Sequence, residues 1–186
     1  GGYDKYLGEK YRKYFQIIYF LGISKVTKNI FMNITPGHLQ NNQQIHRAFN
    51  SLHTPNEYER FLNIISAINL NDRKKLIQKD YFIDDKFLSI ISRRLKGTED
   101  MDSVNKLMYL DTQLDLPDNL LLVADKVNMM NSVELRVPFL DLELFSYLCS
   151  LNNNEKIRFF NKKYSYKKYL YKYFSKNFVK RKKIGF

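Results

Sequence analysis

Two opposite charges, Glu134 and Arg136, alternate with apolar neighbours in the run Val133-Glu134-Leu135-Arg136-Val137-Pro138-Phe139-Leu140-Asp141. On an extended chain both point to the same side, and Pro138 keeps a helix from running through them. Charges set in so apolar a run must be paired or must meet a ligand, because burying a lone charge is costly. Upstream, Asp125 and Lys126 interrupt the apolar run from Leu120 to Ala124. Neighbouring residues on a helix do not face each other, so these two must reach other elements or position the loop through Asn131. A third group, Arg181, Lys182 and Lys183, lies just before Gly185, where the backbone can approach a ligand closely. Lysine acts on phosphate as an effective point charge. From composition alone, a solvated tail is the better reading of these cations.

The other groups with chemical potential are weaker. His38, His46 and His53 could share a broad helical face, but residues eight apart on a helix are roughly 12 Å apart along its axis. One ion cannot touch all three without ligands from elsewhere, so surface histidines are the expectation. The single cysteine, Cys149, sits in an apolar stretch and reads as a small buried hydrophobe. It cannot form an intrachain disulfide, which fits a reducing cytosol.

The elements that must position these groups read as helices. Residues 4–21 place Tyr3, Tyr6, Leu7, Tyr11, Tyr14, Phe15 and Ile18 at helical spacing. Ser24 can cap a short helix to Asn33, and Thr35-Pro36-Gly37 marks a turn before a helix over residues 38–52. Thr54-Pro55-Asn56-Glu57 has the form of a capping box, opening a helix to about Ile68 with Tyr58, Phe61, Leu62 and Ile65 inward. Asn71 can cap a short helix to Gln78. Asp84 or Asp85 begins another, with Phe87, Leu88, Ile91 and Leu95 on one face and Gly97 as its stop. Asp100 can cap the next, which carries Val104, Leu107, Met108, Leu110 and Leu114. Pro117 suits the first position of a helix whose apolar face is Leu120 to Ala124. Asp141 caps a helix to Leu151, residues 152–154 form a loop, and residues 165–178 form a last helix with Tyr166, Tyr169, Leu170 and Phe174 inward.

At 186 residues, with 44% hydrophobic and 27% charged positions, the chain can build one domain with a real core. The expectation is a single domain over residues 1–186, mainly α, with no bilayer-length apolar run. The net charge of +12 allows nucleic acid, an anionic membrane or a polyphosphate substrate. Abundant Lys, Asn, Ile and Tyr point to compositional bias for most of it.

Three segments resemble a known family. Leu116-Pro117-Asp118, the apolar residues to Val123, Asp125-Lys126 and Val133-Glu134 through Asp141 look like the signature of the synthetase domain of glutamine-hydrolysing asparagine synthetases. The tail from Lys180 to Phe186 is similar to a later segment of that family, and Gly1-Gly2-Tyr3 with Tyr6 to an earlier one. The resemblance implies the helical carboxy-terminal half of an adenine-nucleotide α-hydrolase-like (PP-loop ATP pyrophosphatase) synthetase domain, with the parallel-sheet half missing. It implies a parent enzyme that uses ATP and Mg2+ to adenylate aspartate, which ammonia released from glutamine then attacks. Lys183 matches the family lysine that contacts the pyrophosphate leaving group, with Lys182 next in register. Glu134 and Arg136 are either a buried ion pair fixing the turn before Pro138 or the lining of an acid-substrate or nucleotide pocket. Asp125 and Lys126 join the substrate- or nucleotide-binding set on the same grounds.

The chain departs from the family where Ser-Met-Ala is replaced by Asn128-Met129-Met130, which opens the identity of the acid substrate. The family's SGGxDS phosphate loop, its acidic metal-holding stretch and its amino-terminal cysteine do not occur in these residues. The expectation is therefore a fragment that is inactive alone, binds no cofactor and carries no metal ligands. Its cytoplasmic parent, which a homodimer would suit, works on small molecules, with neither membrane nor nucleic acid as partner. Two alternatives stand: a relative amidating a sugar-acid or peptide carboxylate, and a basic helical module that binds nucleic acid.

Overall fold

The computed structural model describes residues 2–22, 54–66 and 84–181, with 68, 73 and 75–77 as isolated positions. The helices expected from Ser24 and His38, the three histidines, most of the segment from Asn71, and Lys182 and Lys183 lie outside the described residues. Helices dominate what is described, as expected. Contacts group the chain into two compact units, residues 8–117 and residues 1–7 with 118–186.

The first unit holds most of α1 (Asp4–Gly22), then α2 (Glu57–Ile65), α3 (Asp84–Arg94) and α4 (Ser103–Gln113). Helix α2 opens later than a capping box at Thr54 would require. Asn56 is the cap, its side-chain oxygen accepting from the backbone N–H of Tyr58 at 2.9 Å and of Glu59 at 3.2 Å. Pro55 therefore precedes the cap, where its fixed φ suits an extended entry. The helix ends at Ile65, short of Ile68, because Ser66 turns extended at ψ 139°. Its buried residues are Arg60, Phe61 and Leu62, whereas Tyr58 is exposed.

Helix α3 begins at Asp84, and Gly97 follows it at φ +83°, a conformation glycine adopts without a Cβ penalty. The N–H of Gly97 donates to Glu99 Oε1 at 3.1 Å. Backbone N–H donors, including this one, hold the Glu99 carboxyl below its ordinary pKa. Ile91 and Leu95 are buried, but Phe87 is exposed, with the Arg73 guanidinium 4.9 Å from its ring centre. The cap of α4 is Asp102 rather than Asp100: its Oδ1 accepts from the N–H of Asn105 at 3.0 Å and its Oδ2 from Asn105 Nδ2 at 2.7 Å. Val104, Leu107 and Leu110 are buried as the spacing predicts, and with Phe61, Leu62, Ile91 and Leu95 they form the core.

The second unit is thinner. A π-helical turn, Leu116–Leu121, runs into α5 (Leu122–Met129), so Pro117 sits within a widened turn and not at the start of a regular helix. A 3-10 turn (Pro138–Leu140) precedes α6 (Leu142–Ser150), whose cap is Asp141 as expected, accepting from the N–H of Leu144 at 3.0 Å. Residues 152–154 are not a loop. Asn152 caps a single turn, α7 (Asn153–Lys156), by accepting from the N–H of Glu155 at 3.0 Å. A minimal hairpin follows, β1 (Ile157–Arg158) with β2 (Asn161–Lys162), antiparallel, Ile157 opposite Lys162 and Arg158 opposite Asn161.

The single last helix is in fact two, α8 (Tyr164–Leu170) and α9 (Lys176–Lys180). Ser175 starts the second by accepting from the N–H of Phe178. Serine competes for backbone groups inside a helix and is favoured at its start, which makes it a natural break point. Tyr166, Tyr169 and Phe174, expected inward, are exposed, as is Cys149, expected buried. Among the described residues of this unit, Tyr6 and Ile157 are the buried apolar side chains. No helix among the described residues is long and apolar enough to cross a membrane.

Candidate functional site

Of the charged residues singled out for chemistry, Asp125, Lys126, Glu134 and Arg136 lie along residues 125–136 of the second unit, and Arg181 lies beyond α9, its guanidinium 4.4 Å from the Phe178 ring centre. Helix α5 carries Asp125 and Lys126 near its middle, both exposed. Of the apolar face expected to bury this helix, Leu120, Leu122 and Val123 are 44–52% accessible and Leu121 and Ala124 are half-buried; Val127, one turn on, is 54% accessible. Local hydrogen bonding ends the helix. Asn128 Nδ2 donates back to the carbonyl of Ala124 at 2.7 Å, and Asn131 Nδ2 to that of Val127 at 3.1 Å. The Asn128 carbonyl then accepts from the N–H of Asn131 at 2.9 Å and of Val133 at 3.1 Å. Ser132, at φ +56°, turns the chain into the following segment.

The substituted triplet thus splits into two roles. Asn128 builds the turn, while Met129 and Met130 face solvent at 55% and 85% accessibility. Beyond the turn, residues 134–137 have no regular secondary structure. Arg136 Nη2 and Glu134 Oε1 meet at 2.7 Å, on one side of the chain as their alternation requires. The pair is not buried: the Arg136 and Glu134 side chains are 83% and 68% accessible. Val133, Leu135, Val137 and Phe139 around it are exposed too. The expected burial fails because apolar neighbours in sequence do not cover a charge: Phe139 meets the Tyr166 ring edge-on at 5.6 Å between centroids, yet Glu134 and Arg136 stay open.

An exposed pair of this kind is worth about 0.2–1 kcal/mol. Glu134→Gln should accordingly change the chain's unfolding free energy by less than about 1 kcal/mol in urea denaturation. A loss of several kcal/mol would mean that the pair is covered in solution.

The structure thus brings Glu134 and Arg136 together. It shows Asp125 and Lys126 on the preceding helix, and Lys182 and Lys183 fall outside the described residues. Among the described residues, no three His, Cys, Asp or Glu side chains come together as a metal site.

A polar cluster that sequence reasoning did not find lies in the first unit. Arg60 Nε donates to both Glu9 oxygens at 3.2 and 3.3 Å, and Nη2 to Oε1 at 3.0 Å. The Arg60 and Glu9 side chains are only 3% and 1% accessible. Ser103 Oγ accepts from Arg60 Nη2 at 3.2 Å and donates to Glu9 Oε1. Glu57 sits beside Arg60, its Oε1 3.6 Å from Nη2, and its Oε2 accepts from Lys106 Nζ at 3.1 Å. Nearby, burial lowers the Lys10 pKa below the ordinary lysine value, only partly opposed by the Asp102 carboxylate. Arg60 Nε and Nη2, both Glu9 oxygens and Ser103 Oγ all bond within the trio, which is the arrangement of a structural clasp joining α1, α2 and α4. No sequence signal announces it, since the partners are 43 to 94 residues apart.

The family described as asparagine synthase matches residues 1–186. Asparagine synthetase [glutamine-hydrolyzing] 1 of Bacillus subtilis (strain 168) is 30% identical over 113 residues, 61% of this chain and 18% of that protein. A putative asparagine synthetase [glutamine-hydrolyzing] of Mycobacterium bovis is 36% identical over 85 residues, 46% of this chain and 13% of that protein. The same figures hold for a putative asparagine synthetase of Mycobacterium tuberculosis strain H37Rv. The chain thus spans less than a fifth of the curated relatives it matches. No solved structure matches it at a significant level.

Proposed function

The chain belongs to the asparagine synthase family, and on that premise we propose that it forms the helical carboxy-terminal part of an ATP-dependent amidotransferase that converts aspartate to asparagine. The observation that carries this reading is the family match over the whole of residues 1–186. The names of the relatives support it, one being an asparagine synthetase [glutamine-hydrolyzing] and the others putative ones.

In the reaction, the aspartate side-chain carboxylate attacks the α-phosphate of ATP, and pyrophosphate leaves. Ammonia from glutamine then attacks the acyl-adenylate and displaces AMP. Mg2+, in the full-length parent, would neutralise phosphate charge. This chain's part falls to its own cations. Lys183 carries positive charge toward the departing pyrophosphate, stabilising negative charge that grows in the transition state. Lys182 is next in register. Arg136 offers a planar guanidinium suited to a carboxylate or phosphate, with Glu134 holding it in place from 2.7 Å. Asp125 and Lys126 contribute polar contacts from α5. The PP-loop architecture of the parent belongs to the same reading.

Asn128 and the exposed Met130, which stand where the family has Ser and Ala, favour a second reading within the family, in which the acid is a sugar acid or a peptide carboxylate. Larger side chains where the family has small ones would reshape an acid pocket.

These residues include no SGGxDS phosphate loop, so the chain alone should not turn over. Incubated with ATP, Mg2+, aspartate and ammonia, it should release no pyrophosphate above the protein-free rate. Sustained release would show a complete adenylating site in these residues and overturn the partial-site reading. A screen of carboxylates against the full-length protein, read by AMP formation, separates aspartate from the alternative acids.

A further inference from the structure

Charge is not spread evenly along this chain. Residues 156–186 hold twelve of its 31 Lys and Arg and none of its 19 Asp and Glu. The preceding 155 residues hold the other 19 cations against all 19 acids and are neutral. A uniform compositional bias toward lysine would not confine the whole surplus to one end.

The same segment breaks a local rule at the hairpin. A two-residue hairpin turn demands positive φ, which Gly, Asn and Asp supply. Here the two turn residues are Phe159 and Phe160, and Phe159 sits at φ +50°. A bulky residue in that region is a genuine outlier, and such strain gathers where it serves a role. The Phe159 side chain is 70% accessible, so burial does not offset that strain, and the neighbouring Phe160 is 71% accessible. Two phenyl rings are thus largely exposed at the hairpin turn.

Cations surround that tip in sequence. Arg158 and Lys162 flank it directly. Arg158 is held by the Tyr164 hydroxyl, to which its Nη1 donates at 2.7 Å, and Lys162 by Asp4 at 2.6 Å. Lys163, Lys167, Lys168, Lys172, Lys176 and Lys180 follow. Tyr169, Tyr173, Phe174 and Phe178 between them are also exposed.

We infer that residues 156–181 form a docking surface for an anionic phospholipid membrane, with Phe159 and Phe160 inserting at the headgroup level and the lysines meeting the lipid phosphates. Apolar side chains buried at the headgroup–acyl boundary and basic residues drawn to anionic lipid each add to the strength of interfacial binding. An exposed turn suits a deformable lipid surface better than a nucleic-acid strand, which needs a groove or a flat platform on which successive bases stack. This attachment is peripheral and independent of the adenylation reading.

The test is co-sedimentation of the chain with vesicles of phosphatidylcholine, with and without phosphatidylserine. The chain should partition onto the phosphatidylserine vesicles and not the neutral ones, less so as salt rises. Phe159→Gly with Phe160→Asn places turn-compatible residues at the tip and preserves the hairpin. That variant should bind at least about tenfold more weakly, with an unchanged far-ultraviolet circular dichroism spectrum. Lys168→Glu with Lys172→Glu should weaken binding to a similar extent. Equal binding to both vesicle types, no binding to either, or unchanged binding of the hairpin variant would overturn the proposal. So would binding of a labelled oligouridylate that depends on the same residues in the absence of vesicle binding.

Discussion

Arg60→Ala should cost the folded protein about 3–5 kcal/mol, the range for breaking a buried charge pair from one side. The guanidinium makes three hydrogen bonds to Glu9 and one to Ser103, with 3% of its side chain accessible. Removing it leaves the Glu9 carboxylate, 1% accessible, with Ser103 Oγ and an Arg12 Nε 3.4 Å away. Neither replaces the charge-assisted fork that was lost. A typical domain has only about 5–15 kcal/mol of net stability, so this single change should be visible as a large fall in the urea midpoint. Glu9→Leu combined with Arg60→Met should recover most of the loss, because replacing both partners by apolar groups removes the buried carboxylate that the single change leaves uncompensated. The comparison of single and double variants is the decisive measurement. A single variant within about 1 kcal/mol of the parent would show that the pair is hydrated in solution. A double variant as unstable as the single one would show that the clasp acts through packing rather than charge.

That clasp also marks the limit of what the sequence could reveal. Elements governed by a few adjacent residues were legible: Asp141 as a cap, Gly97 as a stop, and the apolar row Val104, Leu107 and Leu110 as core. Caps with rivals nearby moved by two positions. Asn56 displaced Thr54 and Asp102 displaced Asp100, since each alternative can reach two donors or stands nearer the first helical turn. Burial was legible only where neighbouring helices supply the other half of the contact. Phe61, on a helix packed against α3, is fully buried. Leu122 and Val123 are also strongly apolar and stand open. The Glu9–Arg60–Ser103 trio draws on three segments far apart in the chain, and periodicity within any one of them carries no information about the others. The pairing of Glu134 with Arg136 was legible from alternation, and its exposure was not. Alternation fixes which way side chains point, whereas exposure depends on what lies opposite.

Lys183→Ala in the full-length parent should lower the synthetase rate by about 10²–10³, the loss that follows removal of one charge-stabilising donor from a transition state. The expectation rests on the match of Lys180 through Phe186 to the family's late basic segment. In adenylation the bond between the α-phosphorus and the bridging oxygen breaks, and negative charge accumulates on the leaving pyrophosphate. A lysine ammonium near those oxygens interacts more strongly with the transition state than with bound ATP, so its loss should appear in kcat more than in KM. On the proposed reading, glutamine hydrolysis belongs to a different part of the parent and should persist, which separates a local chemical defect from misfolding. Lys183→Arg keeps the charge but changes its shape from a point to a planar fork, so it should restore part of the rate. Lys182→Ala supplies the internal comparison, since the neighbouring residue points elsewhere in any single register. If Lys182→Ala produces the large loss and Lys183→Ala does not, the register shifts by one and the chemistry stands. If neither lowers pyrophosphate release, the basic segment has no part in adenylation, and its charge is free to serve another surface.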